Sequence, residues 1–345
     1  MVALCVALWG CIVRAQICEQ EDHAGIRAFS SACARLALTI DRMQYMICYR
    51  HNSILGSTSV ENRSPKTNEI MGQKSTTQKR LDAGSATGVL ALKWQKLKTI
   101  PPKVLTMTKL HSLDLSNNML TTLPAAISCL ESLKKLILRD NHLVGCNNNC
   151  LVGLKKLSTL SLDRNRFEGV PQLPPNLSKL TMSENQLTTL QIVGGNRLIS
   201  IDASKNKIVQ IDTLIWSLSR LQVLDLSYNY LVDLPGGPDS DNVLLKCLSE
   251  LRISFNRITS LPEELGKLHK LSVIIANDNQ LRSVPESILA SQSLARLRLE
   301  NNHITKEQFL EFPGAKDFMK KRLARLDREL AANMHETDRS ICGLD

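Results

Sequence analysis

The chain has 345 residues, 43% of them hydrophobic, with 43 Lys and Arg against 33 Asp and Glu, giving a net charge of +10. That length and apolar content allow a buried core of one or two ordinary domains or one elongated array, and they exclude a collagen-like, low-complexity or wholly disordered chain. Residues 71–110 carry eight basic side chains and one acidic one, and this single stretch accounts for most of the excess. It holds only one aromatic, Trp94, and no nucleic-acid-binding motif, so nucleic acid is not the expected partner.

Residues 1–70 form an N-terminal extension that reads as poorly ordered or non-native. Five of the ten cysteines, Cys5, Cys11, Cys18, Cys33 and Cys48, fall in its first fifty residues, and 51–70 (HNSILGSTSVENRSPKTNEI) are polar without a core pattern. Two readings stand. The run VALCVALWGCIV has the length of a signal-peptide apolar region, without a basic segment before it or a small-x-small site after it. Alternatively Met71 is a start, because Met71-Gly72 followed by Thr76 fits the N-myristoylation pattern once Gly72 becomes the amino terminus. Residues 71–86 are then a basic lead in which Lys74, Lys79 and Arg80 supply the second, electrostatic membrane signal that a single acyl chain needs. The first ordered core is expected near Gly88.

From residue 87 to 305 one template recurs: L-x-x-L-x-L-x-x-N-x-L-x-x-L-P. Repeats start at Leu110, Leu133, Leu157, Leu177, Leu198, Leu221, Leu248, Leu271 and Leu294, and each has asparagine at its ninth position, from Asn118 to Asn302. A tenth unit, beginning at Thr87, keeps the apolar spacing with Gln95 in the asparagine's place. The L-x-L pair turns two side chains inward from a short strand, and stacked strands form a parallel sheet about 4.8 Å apart. The asparagine satisfies backbone groups where the chain leaves the strand. This is identified as the leucine-rich repeat, and the expected fold is α/β: a curved parallel sheet on the concave face, and short helices or extended segments on the convex face.

On the convex side, Pro262 and Pro285 mark the starts of helical turns, while VPQLPPNLSKL (170–180) has too many prolines for anything but an extended path. That unit resembles the short repeats of bacterial effector proteins. GGPDSDN (236–242) lengthens one unit to 27 residues and is expected to protrude. Residues 306–345 form a helical cap and tail, in which Phe318, Leu323, Leu326 and Leu330 at helical spacing are expected to face the core.

From Met71 onward the order of segments (the M-G start, TGVLAL, LDLSNNMLTTLP, LRLENNHI and a helical tail) resembles the leucine-rich repeat-containing protein 57 group of small intracellular proteins. The 20-residue and 27-residue units depart from it. The resemblance implies an intracellular protein, and the L-x-x-L-P style also resembles Ras-pathway scaffolds, which implies protein–protein binding rather than chemistry. The expectation is a cytoplasmic, monomeric, non-enzymatic adaptor in signal transduction, membrane-associated where Gly72 is acylated. A secreted recognition protein is the alternative reading.

Seven histidines form no spacing-based triad, and no nucleophile elbow, phosphate loop or H-E-x-x-H is present, so no catalytic residue, metal or cofactor is expected. GCNNNC, with Cys146 and Cys150 near His142, lacks further ligands for a metal and reads as loop cysteines. Partner choice belongs to the concave face. There the candidate binding residues are Trp94, Tyr228 and Phe255 at the eighth position and Asp202, Asp225, Arg252 and Arg298 at the fifth. Two aspartates on adjacent strands repel unless something basic approaches, so the expected ligand is a basic or mixed-charge protein segment.

Overall fold

The computed structural model describes residues 71–145, 150–237, 245–331 and 341–344. All of them belong to one unit, Lys66–Asp345. The expectations on residues 1–70 and Cys146, and on most of the 236–242 insertion, lie outside the described residues; of Gly72 and Lys74 only the backbone is described.

Ten coils stack into a solenoid whose concave wall is a ten-stranded parallel sheet. Its strands are β1 (Val89–Ala91), β2 (Ser112–Asp114), β3 (Lys135–Ile137), β4 (Thr159–Ser161), β5 (Lys179–Thr181), β7 (Ser200–Asp202), β9 (Val223–Asp225), β10 (Glu250–Arg252), β11 (Val273–Ile275) and β12 (Arg296–Arg298). The short strands β6 (Thr189–Leu190) and β8 (Gln210–Ile211) pair in a second small sheet. Each strand is three residues long because the template turns only its middle residue and the one following it inward. Leu113 and Leu115, and their counterparts Leu136 and Leu138, are wholly buried. The register repeats without slip: Leu224 pairs with Leu251, and Asp225 with Arg252.

The asparagine ladder holds these coils together. Asn141 donates from Nδ2 to the carbonyls of Leu138 in its own coil (3.0 Å) and Leu115 in the previous one (3.0 Å), and its Oδ1 accepts from Leu120 N (3.0 Å). Groups that the turn would leave buried and unpaired are satisfied by one side chain. The same turn places the eighth residue of every coil in the left-handed region, from Trp94 (φ 59°) to Asn301 (φ 55°), and none of these ten residues is a glycine. Each costs roughly 1 kcal/mol of backbone strain, which the neighbouring asparagine network overrides.

The convex side follows the prolines. Pro262 precedes a 3-10 turn, Glu263–Lys267, and Pro285 precedes an α-helix, Glu286–Ala290. Fixed at φ near −65° and lacking an N–H, proline fits the residue before or at a helix start. Residues 170–178 run without helix or strand, as their prolines require.

Both ends are closed by helices. At the N-terminus the basic lead forms α1 (Met71–Thr87), a helix the sequence pattern did not suggest, and packs on β1. Its buried Leu81 brings the core in ahead of Gly88, which at φ 72° ends the helix. Gly84 lies so close to Leu90 that a Cβ would come within 2.9 Å of Leu90 Cδ1. In chain order the remaining helices are α2 (Pro102–Leu105), α3 (Glu286–Ala290), α4 (Lys306–Glu311) and α5 (Ala315–Ala331). Helix α4 opens with a capping box between Thr305 and Gln308.

Helix α5 is the predicted cap, but its inward face is not the predicted one. Phe318 is buried, whereas Leu323 is 53% exposed, and Arg322 is buried in the place assigned to an apolar residue. Arg325 Nη1 donates to the carbonyl of Leu294 at 3.3 Å. The helix therefore docks along Ala315, Phe318 and Arg322, and the Arg325 guanidinium serves the backbone of the last coil. The side chains of Leu326 and Leu330 lie outside the described residues.

Candidate functional site

The eighth position of the coils forms a ridge along the edge of the concave face, and its side chains pair from coil to coil. Asp140 and Glu184 flank Arg164: Arg164 Nη1 is 3.5 Å from Asp140 Oδ1, and its Nε is 3.1 Å from Glu184 Oε2. Lys205 Nζ continues the chain, 3.3 Å from Glu184 Oε1. Hydrogen bonding to Glu184, then the charges of Glu184 and Asp140, hold the Arg164 guanidinium more firmly protonated than usual. At the far end Asn301 Nδ2 donates to Asp278 Oδ1 (2.8 Å).

Between these polar stretches the ridge becomes aromatic. Tyr228 and Phe255 stack face to face, with centroids 4.2 Å apart and planes 9° from parallel. They remain 47% and 43% exposed. The ninth-position asparagines behind them, Asn229 and Asn256, are buried and fix the backbone from which both rings project. One step further along each coil, Arg257 lies over the ring of Tyr230, 5.0 Å from its centroid. Tyr230 and Arg257 were not singled out in the sequence, although both are the tenth residue of their coils and the same positional count would have paired them.

The concave floor beside the rings carries the charged candidates. Asp202, Asp225 and Arg252 stand side by side on β7, β9 and β10. The two aspartates do stand on adjacent strands, and the basic group that approaches them is the chain's own Arg252. Arg252 Nη1 lies 3.6 Å from Asp225 Oδ2, and its Nε lies 2.7 Å from Glu250 Oε1. The hydrogen bond to Glu250 and, more weakly, the charges of Asp225 and Asp202 raise the Arg252 pKa against the effect of burial. Each aspartate is also engaged by a serine two residues on. Ser204 donates to Asp202 Oδ1 from N (3.0 Å) and Oγ (2.7 Å), and Ser227 N donates to Asp225 Oδ1 (3.0 Å). The spacing D-x-S in LDLS and IDAS is the signal that could have shown this. With Asp202, Asp225 and Glu250 set against Arg252, the floor still keeps an excess of negative charge.

Two candidates stand apart from this cluster. Arg298 is on β12, two strands beyond Arg252, with its Nη1 paired to Glu300 Oε1. Trp94 follows β1, six strands from β9, a separation of about 29 Å at the usual strand spacing. It is 73% exposed. Trp94 thus shares its position in the repeat with Tyr228 and Phe255 but not their surface. Among the described residues no group of three or more His, Cys, Asp or Glu could hold a metal ion.

A parallel sheet of ten single-repeat strands, joined by an asparagine ladder and presenting a variable concave face, defines a leucine-rich repeat protein. Family models for the leucine rich repeat match residues 89–143 and 247–268. An uncharacterized leucine-rich repeat-containing protein of Schizosaccharomyces pombe is 28% identical over 301 residues, which are 81% of this chain and 47% of the yeast protein. The chain therefore spans about half the length of that relative. Lumican of Coturnix japonica is 29% identical over 267 residues, covering 67% of this chain and 75% of lumican. Among solved structures, the leucine-rich effector protein YopM of Yersinia pestis aligns with a TM-score of 0.54 at 25% identity, over 68% of this chain and 62% of YopM. Arrays of this class are protein-interaction surfaces.

Proposed function

We propose that the chain is a non-enzymatic adaptor of the leucine-rich repeat-containing protein 57 type, which holds a protein segment against the rim formed by the seventh and eighth coils. The observation that carries this reading is the Tyr228–Phe255 stack, an exposed aromatic platform between a run of paired charges (Asp140 to Lys205) and the Asp278–Asn301 pair. Aromatic anchors beside charged neighbours are the usual centres of protein-binding energy. The negative excess of the floor at Asp202, Asp225 and Glu250 suits a segment carrying an apolar anchor and at least one basic residue, with Arg252 fixing its register. Cytoplasmic location, a monomeric state and a role in signalling belong to the same proposal.

The experiment is affinity purification with the tagged full chain and with Tyr228→Ala/Phe255→Ala. A specific partner is retained by the parent chain and bound at least about 30-fold more weakly by the double variant, the loss that corresponds to hot-spot residues. A partner held equally by both moves the site off this rim.

A further inference from the structure

The first coil departs from the other nine in ways that the aromatic rim does not use. Among the described residues helix α1, not a coil, precedes it, and Gln95 makes no ladder bond backward. Its Nε2 instead donates to Lys93 O (3.0 Å), and both Gln95 N and Leu97 N donate to the single acceptor Asn118 Oδ1, at 3.0 and 3.1 Å. The turn tightens, and two residues rather than one become left-handed: Trp94 at φ 59° and Lys96 at φ 52°. A tryptophan and a lysine are poor occupants of that conformation, and Trp94 has the largest exposed fraction of any large hydrophobic side chain among the described residues. Strain and exposure are spent together on a five-residue loop, WQKLK, at the corner of the array.

The charges around this corner are largely unspent. Of the basic side chains between residues 77 and 110, Lys93 pairs with Asp114 (3.0 Å) and Lys103 with Asp82 (2.8 Å). Lys79, Arg80, Lys96, Lys98 and Lys109 are exposed and pair with no carboxylate among the described residues. They are spread over helix α1 (Lys79, Arg80), the loop (Lys96, Lys98) and the turn before β2 (Lys109). Thr77 Oγ1 donates to Gln95 Oε1 at 3.0 Å, which brings the N-terminal half of α1 to the same corner as Trp94.

We infer that the Trp94–Lys98 loop and the exposed face of α1 form a docking surface for an anionic lipid bilayer, separate from the protein-binding rim. Charge complementarity fixes the sign of the partner, and the arrangement fixes its kind. Among the described residues no ring stacks on Trp94: Lys93, Gln95 and Lys96 flank it in the chain, and Asn117 takes the equivalent place on the next coil. A protein hot spot sits in a packed pocket whose rim excludes water, whereas Trp94 stands 73% exposed between lysines. A lone tryptophan among dispersed lysines matches the headgroup region of a membrane, where the indole lies in the interface and each basic group gains from the negative surface potential. Among the described residues no helix is long and apolar enough to cross a bilayer, so the association is peripheral.

The test uses the full chain and sedimentation with vesicles of equal parts phosphatidylcholine and phosphatidylserine, with phosphatidylcholine vesicles alone as reference. The chain co-sediments with the mixed vesicles, and raised salt releases it. Trp94→Gly, which suits the left-handed backbone and leaves the fold intact by thermal melting, weakens vesicle binding about tenfold, and Lys96→Glu/Lys98→Glu does the same. Tyr228→Ala/Phe255→Ala leaves vesicle binding unchanged, which separates this surface from the rim. Equal binding to neutral and anionic vesicles overturns the inference. So does unchanged binding by Trp94→Gly, or binding to an acidic polyglutamate peptide without binding to anionic vesicles.

Discussion

The side chain of Asn229 joins two coils: its Nδ2 donates to the carbonyl of Ala203 at 3.1 Å while its Oδ1 accepts from Ile208 N at 3.0 Å. It also donates to Leu226 O at 2.9 Å. Asn229→Ala leaves the Ile208 N–H without its acceptor, while Ala203 O and Leu226 O each keep one asparagine donor, Asn206 and Asn256; a buried orphan costs about 1–3 kcal/mol. The expected loss is about 1–3 kcal/mol of unfolding free energy, read by urea denaturation. Gln95→Ala, at the equivalent position of the end coil, lacks a preceding coil to serve and costs less than about 1 kcal/mol. Equal losses for the two variants would contradict the account of the ladder.

Tyr228 combines an exposed ring with a left-handed backbone, φ 59°. Tyr228→Gly relieves roughly 1 kcal/mol of strain and forfeits a stacking contact worth about 0.5–1.5 kcal/mol, so stability changes by less than about 1 kcal/mol. Binding of the partner segment falls all the same. A variant that melts like the parent chain but no longer retains the partner places the ring in recognition; loss of both places it in the fold.

The repeat was legible because its physics is unforgiving. Leu113 and Leu115 occupy places that only an apolar side chain (Leu, Ile, Met or Ala) fills, Asn118 a place that asparagine fills nine times, and the spacing recurs with them. Tyr228 and Phe255 could be paired by counting, since equal positions in successive coils are neighbours. The left-handed turn was not legible: its ten positions hold Trp, Asn, Asp, Arg, Glu, Lys, Tyr and Phe, and without glycine nothing in the composition marks them. Helix α1 was hidden for a different reason. KSTTQKRLDAGSAT offers only Leu81 as a large buried side chain, and the helix is stabilised by covering the end of the core rather than by its own periodicity. On the concave floor, the residue types announced charge, but the Arg252–Asp225 contact and the serine partners depend on register and backbone turns that pattern alone does not display.

Helix α1 is tied to the convex side of its own coil through Asp82, whose carboxyl accepts from Lys103 Nζ at 2.8 Å and from Gln78 Nε2 at 2.9 Å. The Lys103 hydrogen bond is the largest influence on Asp82 and lowers its pKa in the folded chain. A depressed carboxyl pKa contributes stability above the unfolded value, and that contribution is lost as pH falls through the folded value. Asp82→Asn is therefore expected to melt below the parent chain at neutral pH, with the two melting curves converging in acid below the ordinary carboxylate range. Since the pair is exposed, raised salt narrows the gap as well. A gap that persists unchanged in acid would show that something other than this ion pair sets it.

Gly266 lies where the 3-10 turn of the eighth coil meets α3, and a Cβ there would overlap the backbone carbonyl group of Ser287. Because the obstruction is main chain, it cannot rotate away. Gly266→Ala is expected to cost about 1–3 kcal/mol and to lower the melting temperature. Gly236→Ala, which meets no atom within 4 Å, serves as the control and leaves stability unchanged.

The C-terminal cap gives the sharpest contrast between a position's chemistry and its place. Phe318 is 1% exposed and packs in the core, whereas Leu323, five residues on in the same helix, is 53% exposed. Phe318→Ala removes a fully buried ring and is expected to cost about 3–5 kcal/mol, with the last coil losing hydrogen-exchange protection first because each coil leans only on its neighbours. Leu323→Lys places a charge where the structure already offers solvent and is expected to change stability by less than about 0.5 kcal/mol. Arg325→Ala should fall between them, since it withdraws both an aliphatic stem from the last coil and a donor from the Leu294 carbonyl. Were Leu323→Lys as damaging as Phe318→Ala, the helix would have to be rotated about its axis so that the leucines face the core.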